Sequence, residues 1–76
     1  MTLADLAKGD RGRIETLEGA GVVAQRLLEM GLTPGAVVTV VRFAPLGDPI
    51  EVKVRGYALS LRRADARAVR VVPVTS

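Results

Sequence analysis

The stretch Arg26-Leu27-Leu28-Glu29-Met30-Gly31-Leu32-Thr33-Pro34-Gly35 decides how the rest of the chain is arranged. It reads as the last turns of a short helix, a glycine stop, and a Pro-Gly turn that launches the longest apolar run. Gly31 stands where a helix C-terminus needs a left-handed residue, a conformation that glycine enters without a Cβ clash. Pro34 fixes its own φ, and Gly35 supplies the positive φ that the third position of a type II turn requires. Upstream, residues 22–30 place Val23, Ala24, Leu27 and Leu28 on one helical face and Gln25, Arg26 and Glu29 on the other. Met30 falls on the boundary. A helix this short needs a sheet beneath it.

Downstream of the turn nearly everything reads as strand. Residues 36–43 form a β-branched run whose alternation is broken, because Thr39 and Arg42 fall on opposite faces. Either both faces are partly covered or a bulge shifts the parity. The loop Ala44-Pro45-Leu46-Gly47-Asp48-Pro49 follows, and Ile50, Val52 and Val54 then alternate cleanly inward. Arg55-Gly56 is a tight turn. Leu59 and Leu61 point inward from residues 57–61, residues 62–68 make a helical or 3₁₀ connection, and residues 69–72 are the last strand, ended by Pro73. Before the helix, residues 2–6 form a capped turn that plugs one end of the core with Leu3 and Leu6. Residues 8–10 turn the chain, residues 11–17 are the first strand with Ile14 inward, and residues 18–21 are a loop.

Composition bounds what such a fold can do. At 76 residues the chain is one small domain, burying only about 60% of its unfolded surface and holding together by roughly 4–11 kcal/mol. Cysteine is absent, so neither a disulfide nor a thiolate metal site can staple it; 49% hydrophobic content must supply the core. Histidine is absent too, which removes the commonest metal ligand and general base. The net charge of +3 is mildly anion-friendly. Residues 1–7 lack a basic start before an apolar core, and the longest uncharged run, residues 30–41, is broken by Pro-Gly. The expectation is a soluble protein.

Five short strands with one helix between the first two predict a mostly β fold, a small SH3-like barrel whose closure would remove exposed edges. An OB-type barrel also has five strands, but its helix usually falls between the third and fourth. Leu27-Leu28 followed by Gly31, Pro34-Gly35, Val40-Val41-Arg42, the loop Ala44-Pro45-Leu46-Gly47-Asp48-Pro49-Ile50 and Leu59-x-Leu61-Arg62 together resemble the ferrous iron transport protein A (FeoA) family. The resemblance runs from Leu3 to about Val72, as a single domain over 1–76. It implies an SH3-like barrel in the cytoplasm, an accessory to the membrane-embedded ferrous iron transporter (FeoB-type), which carries a cytosolic G-protein domain. The same module also occurs fused to metal-responsive transcription repressors.

The chemistry points to a binding module and not an enzyme. Without His or Cys, catalysis would rest on unpaired carboxylates or Ser60, with nothing beside them at useful spacing. Gly31 to Gly35 lacks the Lys-Ser/Thr of a phosphate-binding loop. Asp48 and Glu51 are hard ligands that hold ferrous iron weakly, and Asp48 suits capping its own turn. No cofactor and no metal ligand are expected. Arg62, Arg63, Arg67 and Arg70 form the densest basic cluster, read as a solvated face partly offset by Asp65. Its functional alternatives are an acidic protein partner, lipid headgroups or nucleic acid, and one Tyr with one Phe leaves little surface for stacking bases. The candidate partner-binding residues are Met30, Arg42, Leu46, Arg62, Arg63 and Arg67. Gly31, Pro34, Gly35, Pro45, Gly47, Asp48 and Pro49 are the expected structural turns, with weak self-association a further expectation.

Overall fold

Arg11–Leu17 (β1), Val37–Phe43 (β2), Ile50–Val54 (β3), Tyr57–Leu61 (β4) and Val69–Val74 (β5) pair antiparallel into one sheet in the computed structural model. The structure describes residues 1–19 and 21–75. Strand order is β4-β3-β2-β1-β5. Gly21–Glu29 (α1) joins β1 to β2, Arg63–Ala66 (α2) joins β4 to β5, and a 3₁₀ turn, Leu3–Asp5, precedes β1. The expected loop over 18–21 includes Ala20, which lies outside the described residues; Gly21 already belongs to α1.

Inward-pointing aliphatics curl this sheet around one core. Ile14, Val38, Val40, Ile50, Val52, Val54, Leu61, Val69 and Val71 come from all five strands, and Leu3 and Leu6 plug one end. Each such burial stabilises by about 1.5–3 kcal/mol. The broken alternation of β2 is a bulge: the register with β3 shifts between Val40 and Arg42. A second shift, between Ile14 and Thr16 against β5, had no counterpart in the sequence reading. Buried Gly12 in β1 leaves no room for a side chain, since a Cβ there would stand 3.0 Å from the Val71 Cβ and 3.2 Å from the Leu6 Cδ1.

The barrel is not closed by a β4–β5 ladder, so both remain edges. The N-terminus covers part of the β5 edge: Thr2 bridges Arg70, and the Val71 N–H donates to the Met1 carbonyl at 3.0 Å. That geometry also corrects the expected end of the last strand, which runs on to Val74. The Pro73 nitrogen, two residues beyond Val71, faces the same outer side, where no bond to β1 is required.

The helix stop forms as read, one residue early at Glu29. The Leu32 N–H donates to the Leu27 carbonyl at 3.1 Å and the Gly31 N–H to the Leu28 carbonyl at 3.0 Å, the paired bonds of a Schellman motif. Gly31 takes φ +93, and Leu27 and Leu32, the hydrophobic pair of that motif, are fully buried. Leu28 corrects the inward face: at 40% exposed it looks outward, and Leu27 alone of the helix is buried. Thr33-Pro34-Gly35-Ala36 is the expected type II turn, with Gly35 at φ +91 and Ala36 N–H bonded to the Thr33 carbonyl at 3.0 Å.

Two predictions follow from these ends. Gly31→Val forces a β-branched residue into the left-handed region and drives its Cβ against the Tyr57 hydroxyl. It should cost about 1–3 kcal/mol, a fall of several degrees in the midpoint of thermal unfolding followed by circular dichroism. The Asp5 carboxylate is held below its ordinary 3.8, chiefly by accepting the Thr2 backbone N–H at 2.8 Å. A depressed pKa stabilises the fold above the ordinary value and loses that contribution as pH falls through the folded one. The stability gap between the native chain and Asp5→Asn should therefore narrow below about pH 4 in acid titrations of urea unfolding.

Candidate functional site

The loop between β2 and β3 is a stiff projection built from its own turn residues. Ala44-Pro45-Leu46-Gly47 closes through the Gly47 N–H on the Ala44 carbonyl at 2.7 Å, with Pro45 at the position its fixed φ suits. Gly47 takes φ +86, Asp48–Pro49 is cis, and the Ala44 N–H bonds the Pro49 carbonyl at 3.0 Å. Leu46 at the tip is 96% exposed. A leucine held clear of the core on so constrained a loop is available for contact.

Arg63 braces that loop from below. Its Nη2 donates to the Gly47 carbonyl at 3.0 Å, its Nη1 to the Ala4 carbonyl at 3.4 Å, and its guanidinium lies 5.4 Å from the centre of the Phe43 ring. Asp48 does not cap its own turn as expected. Its Oδ1 accepts the Arg63 backbone N–H at 3.0 Å, capping α2, whose preceding residue Arg62 offers no side-chain cap. Loop and helix are thus tied in both directions.

The remaining candidates are spread over the surface. Arg42 is exposed and paired with Glu51 at 3.0 Å, beside a cleft lined by Phe43, Pro45, Pro49 and Ser60. Met30 is half-buried against the core, and its carbonyl accepts the Tyr57 hydroxyl. Arg62 and Arg67 are exposed on either side of α2. The basic run does not act as one patch: Arg63 is turned into the loop, Arg70 lies 4.0 Å from Glu18, and Asp65 pairs with Arg26 of α1 at 3.1 Å. Among the described residues no three carboxylates gather where they could hold a metal ion.

Strand register instead assembles a basic group that the linear sequence scatters. Arg11 lies opposite Thr39, Thr39 opposite Lys53, and Arg13 opposite Val37, all on the outer face of the sheet. Neither arginine was among the sequence candidates; the alternation Arg11-Gly12-Arg13-Ile14, with Ile14 inward, is the signal that could have placed both outward. The partner strand's Lys53 could be added only once the register was known.

The curled five-stranded sheet, with the longer of its two α-helices between the first two strands, is an SH3-like β domain. FeoA of Stenotrophomonas maltophilia, solved with zinc and described as an SH3 domain protein, superposes at a TM-score of 0.83 with 32% identity over 95% of this chain and 89% of that one. The chain belongs to the FeoA family, whose domain model matches residues 1–73. FeoA of Chlorobium tepidum is 41% identical, at a TM-score of 0.91, over 99% of this chain and 71% of that one. A Porphyromonas gingivalis protein, a fusion of Fe(2+) transport protein A with the Fe(2+) transporter FeoB, is 43% identical over the whole of this chain. This chain spans 9% of that fusion. The family is thereby linked to ferrous iron transport.

The loop makes a sharp division between brace and tip. Arg63→Ala should destabilise the fold by about 1–3 kcal/mol, because it deletes charged hydrogen bonds to carbonyls and the packing on Phe43. Leu46→Ser, Arg62→Ala and Arg67→Ala should each stay within about 0.5 kcal/mol of the native protein in urea unfolding.

Proposed function

We propose that this chain is an accessory of ferrous iron uptake that works from the cytoplasm by binding the cytosolic G-protein domain of an FeoB-type membrane transporter. The observation that carries the reading is the fused relative, in which a module 43% identical to this chain shares one polypeptide with FeoB. Two modules kept in one polypeptide act at the same place, and a separate chain of the same family would restore that proximity by binding. Leu46 supplies a contact suited to it. Its loop is already fixed by Pro45, Pro49 and the Arg63 brace, so little conformational freedom is lost on docking. Met30, Arg42, Arg62 and Arg67 are the further residues proposed to meet the partner, while Arg63 and Asp48 shape the loop that presents Leu46.

The module acts through contact and carries no reaction of its own. Its Asp and Glu side chains are the hard ligands that hold ferrous iron weakly. Anaerobic calorimetry with ferrous ion should give no saturable one-to-one isotherm in the low micromolar range.

The purified chain should bind the isolated cytosolic domain of the transporter, and deleting its gene should lower ferrous iron uptake under iron limitation. Leu46→Ser should weaken that binding by about tenfold, as expected for a leucine left unburied at an interface, with the melting temperature unchanged. Normal uptake in the deletion strain, in the absence of a second gene of the family, would reject the reading.

A further inference from the structure

The outer face of the sheet carries a basic frame around a half-apolar spine. Val37 and Thr39 project from β2 on that face, Val37 at 40% exposed. Arg11 and Arg13 flank them from β1, and Lys53 flanks them from β3, each directly across a strand pair. Adjacent strands lie about 5 Å apart, so the backbone positions that carry the β1 and β3 cations stand about 10 Å apart across the spine, and those of Arg11 and Arg13 about 7 Å apart along it. Among the described residues none of the three makes a salt bridge. Nearby acids are otherwise engaged: Glu51, the outward neighbour of Lys53, holds Arg42 at 3.0 Å, and the Asp10 carboxylate accepts the Ala7 N–H at 2.9 Å. Glu15, two residues beyond Arg13, sits in the bulge and forms no ion pair with it. The eight bases left once these three are set aside are matched by eight acids, so the net charge of +3 equals the charge of this frame.

We propose that this face docks an acidic protein segment, one that lays apolar side chains on Val37 and Thr39 and carboxylates outward to Arg11, Arg13 and Lys53. The flanking strands stand about 10 Å apart, close to the width of an α-helix with its side chains. An amphipathic acidic helix lying along β2 would therefore meet cations on both sides. Charge complementarity then sets the register of docking and speeds encounter. The spine favours a protein over a polyanion, because the Val37 side chain exposed between the cations offers nothing to a phosphate. Neither aromatic residue serves this face as a stacking platform: Phe43 lies beneath Arg63, and the Tyr57 hydroxyl is bonded to the Met30 carbonyl.

The inference rests on the proposed role at the transporter, so the probe is its purified cytosolic domain, titrated against the full chain by fluorescence polarisation at several salt concentrations. Arg11→Glu combined with Lys53→Glu should weaken binding by about tenfold or more and flatten its salt dependence. Lys8→Glu combined with Arg26→Glu, the same charge change at exposed positions outside the frame, should weaken it less. If the doubly reversed protein melts at a lower temperature, Arg11→Gln with Lys53→Gln decides the matter, and binding should still be clearly weaker than native. Native binding that survives both pairs of substitutions overturns this face as the contact and leaves the role at the transporter standing. Absence of native binding at every salt concentration overturns the role and this inference with it. Tighter binding to vesicles of anionic lipid or to single-stranded RNA than to the domain, lost in the same variants, overturns the choice of a protein partner.

Discussion

The C-terminal end of α1 is the point at which one short helix and a small sheet become a single structure. Most of its last carbonyls need partners, and the chain supplies them from two directions. Gly31 and Leu32 turn back on the Leu28 and Leu27 carbonyls, which buries Leu27 and Leu32 together in the core. From the far end of the sheet, the β3–β4 hairpin closes over the same spot. The Tyr57 hydroxyl bonds the Met30 carbonyl, the Arg55 Nε bonds the Gly31 carbonyl at 3.3 Å, and the Arg55 guanidinium reaches the Thr33 hydroxyl. A cation there also meets the negative end of the helix dipole. Gly31 is consequently required twice: for its positive φ, and because the Tyr57 hydroxyl occupies the space where a Cβ would stand.

This clamp explains how a nine-residue helix with one fully buried side chain stays in place. Its hold comes from its C-terminal end more than from an apolar face, which is why Leu28 can point outward. The other tie is the Arg26–Asp65 pair linking α1 to α2, with the Arg26 side chain about half exposed. A pair exposed to that degree contributes little energy and serves to orient the two helices. Arg55 itself sits at φ +52, uncommon for a residue with a side chain. The hairpin's two-residue turn needs positive φ at both Arg55 and Gly56, and the bonds Arg55 makes to the helix end offset that cost.

Strand positions were legible in the sequence because one face of each strand is buried and aliphatic. Ile50, Val52 and Val54 alternate without interruption, and the turns at Gly31, Pro34-Gly35 and Arg55-Gly56 each carry the residue their backbone demands. Errors fell where a tertiary partner decided the matter. Pro73 reads as a strand breaker until the N-terminal segment is seen covering the β5 edge. Asp48 reads as a local cap until α2 arrives with its own unsatisfied N–H. Arg63 reads as one of four exposed arginines, and only the folded chain shows that its guanidinium is spent on the Gly47 and Ala4 carbonyls.

The same logic governs where charge becomes useful. A run of arginines in sequence does not make a basic surface when Arg63 is turned onto backbone carbonyls and Arg70 lies beside Glu18. Arg11, Arg13 and Lys53 are separated by some forty positions of sequence, yet a ladder fixes them side by side with no acid between them. Register is a stronger organiser of surface charge than proximity in sequence, since strand pairing holds backbone positions within about 5 Å while long side chains on a short helix fan apart. In a domain this small the core consumes the inward face of every strand. What lies outside it is the surface on which we propose recognition takes place: the braced loop at Leu46 and the outer face around Val37 and Thr39.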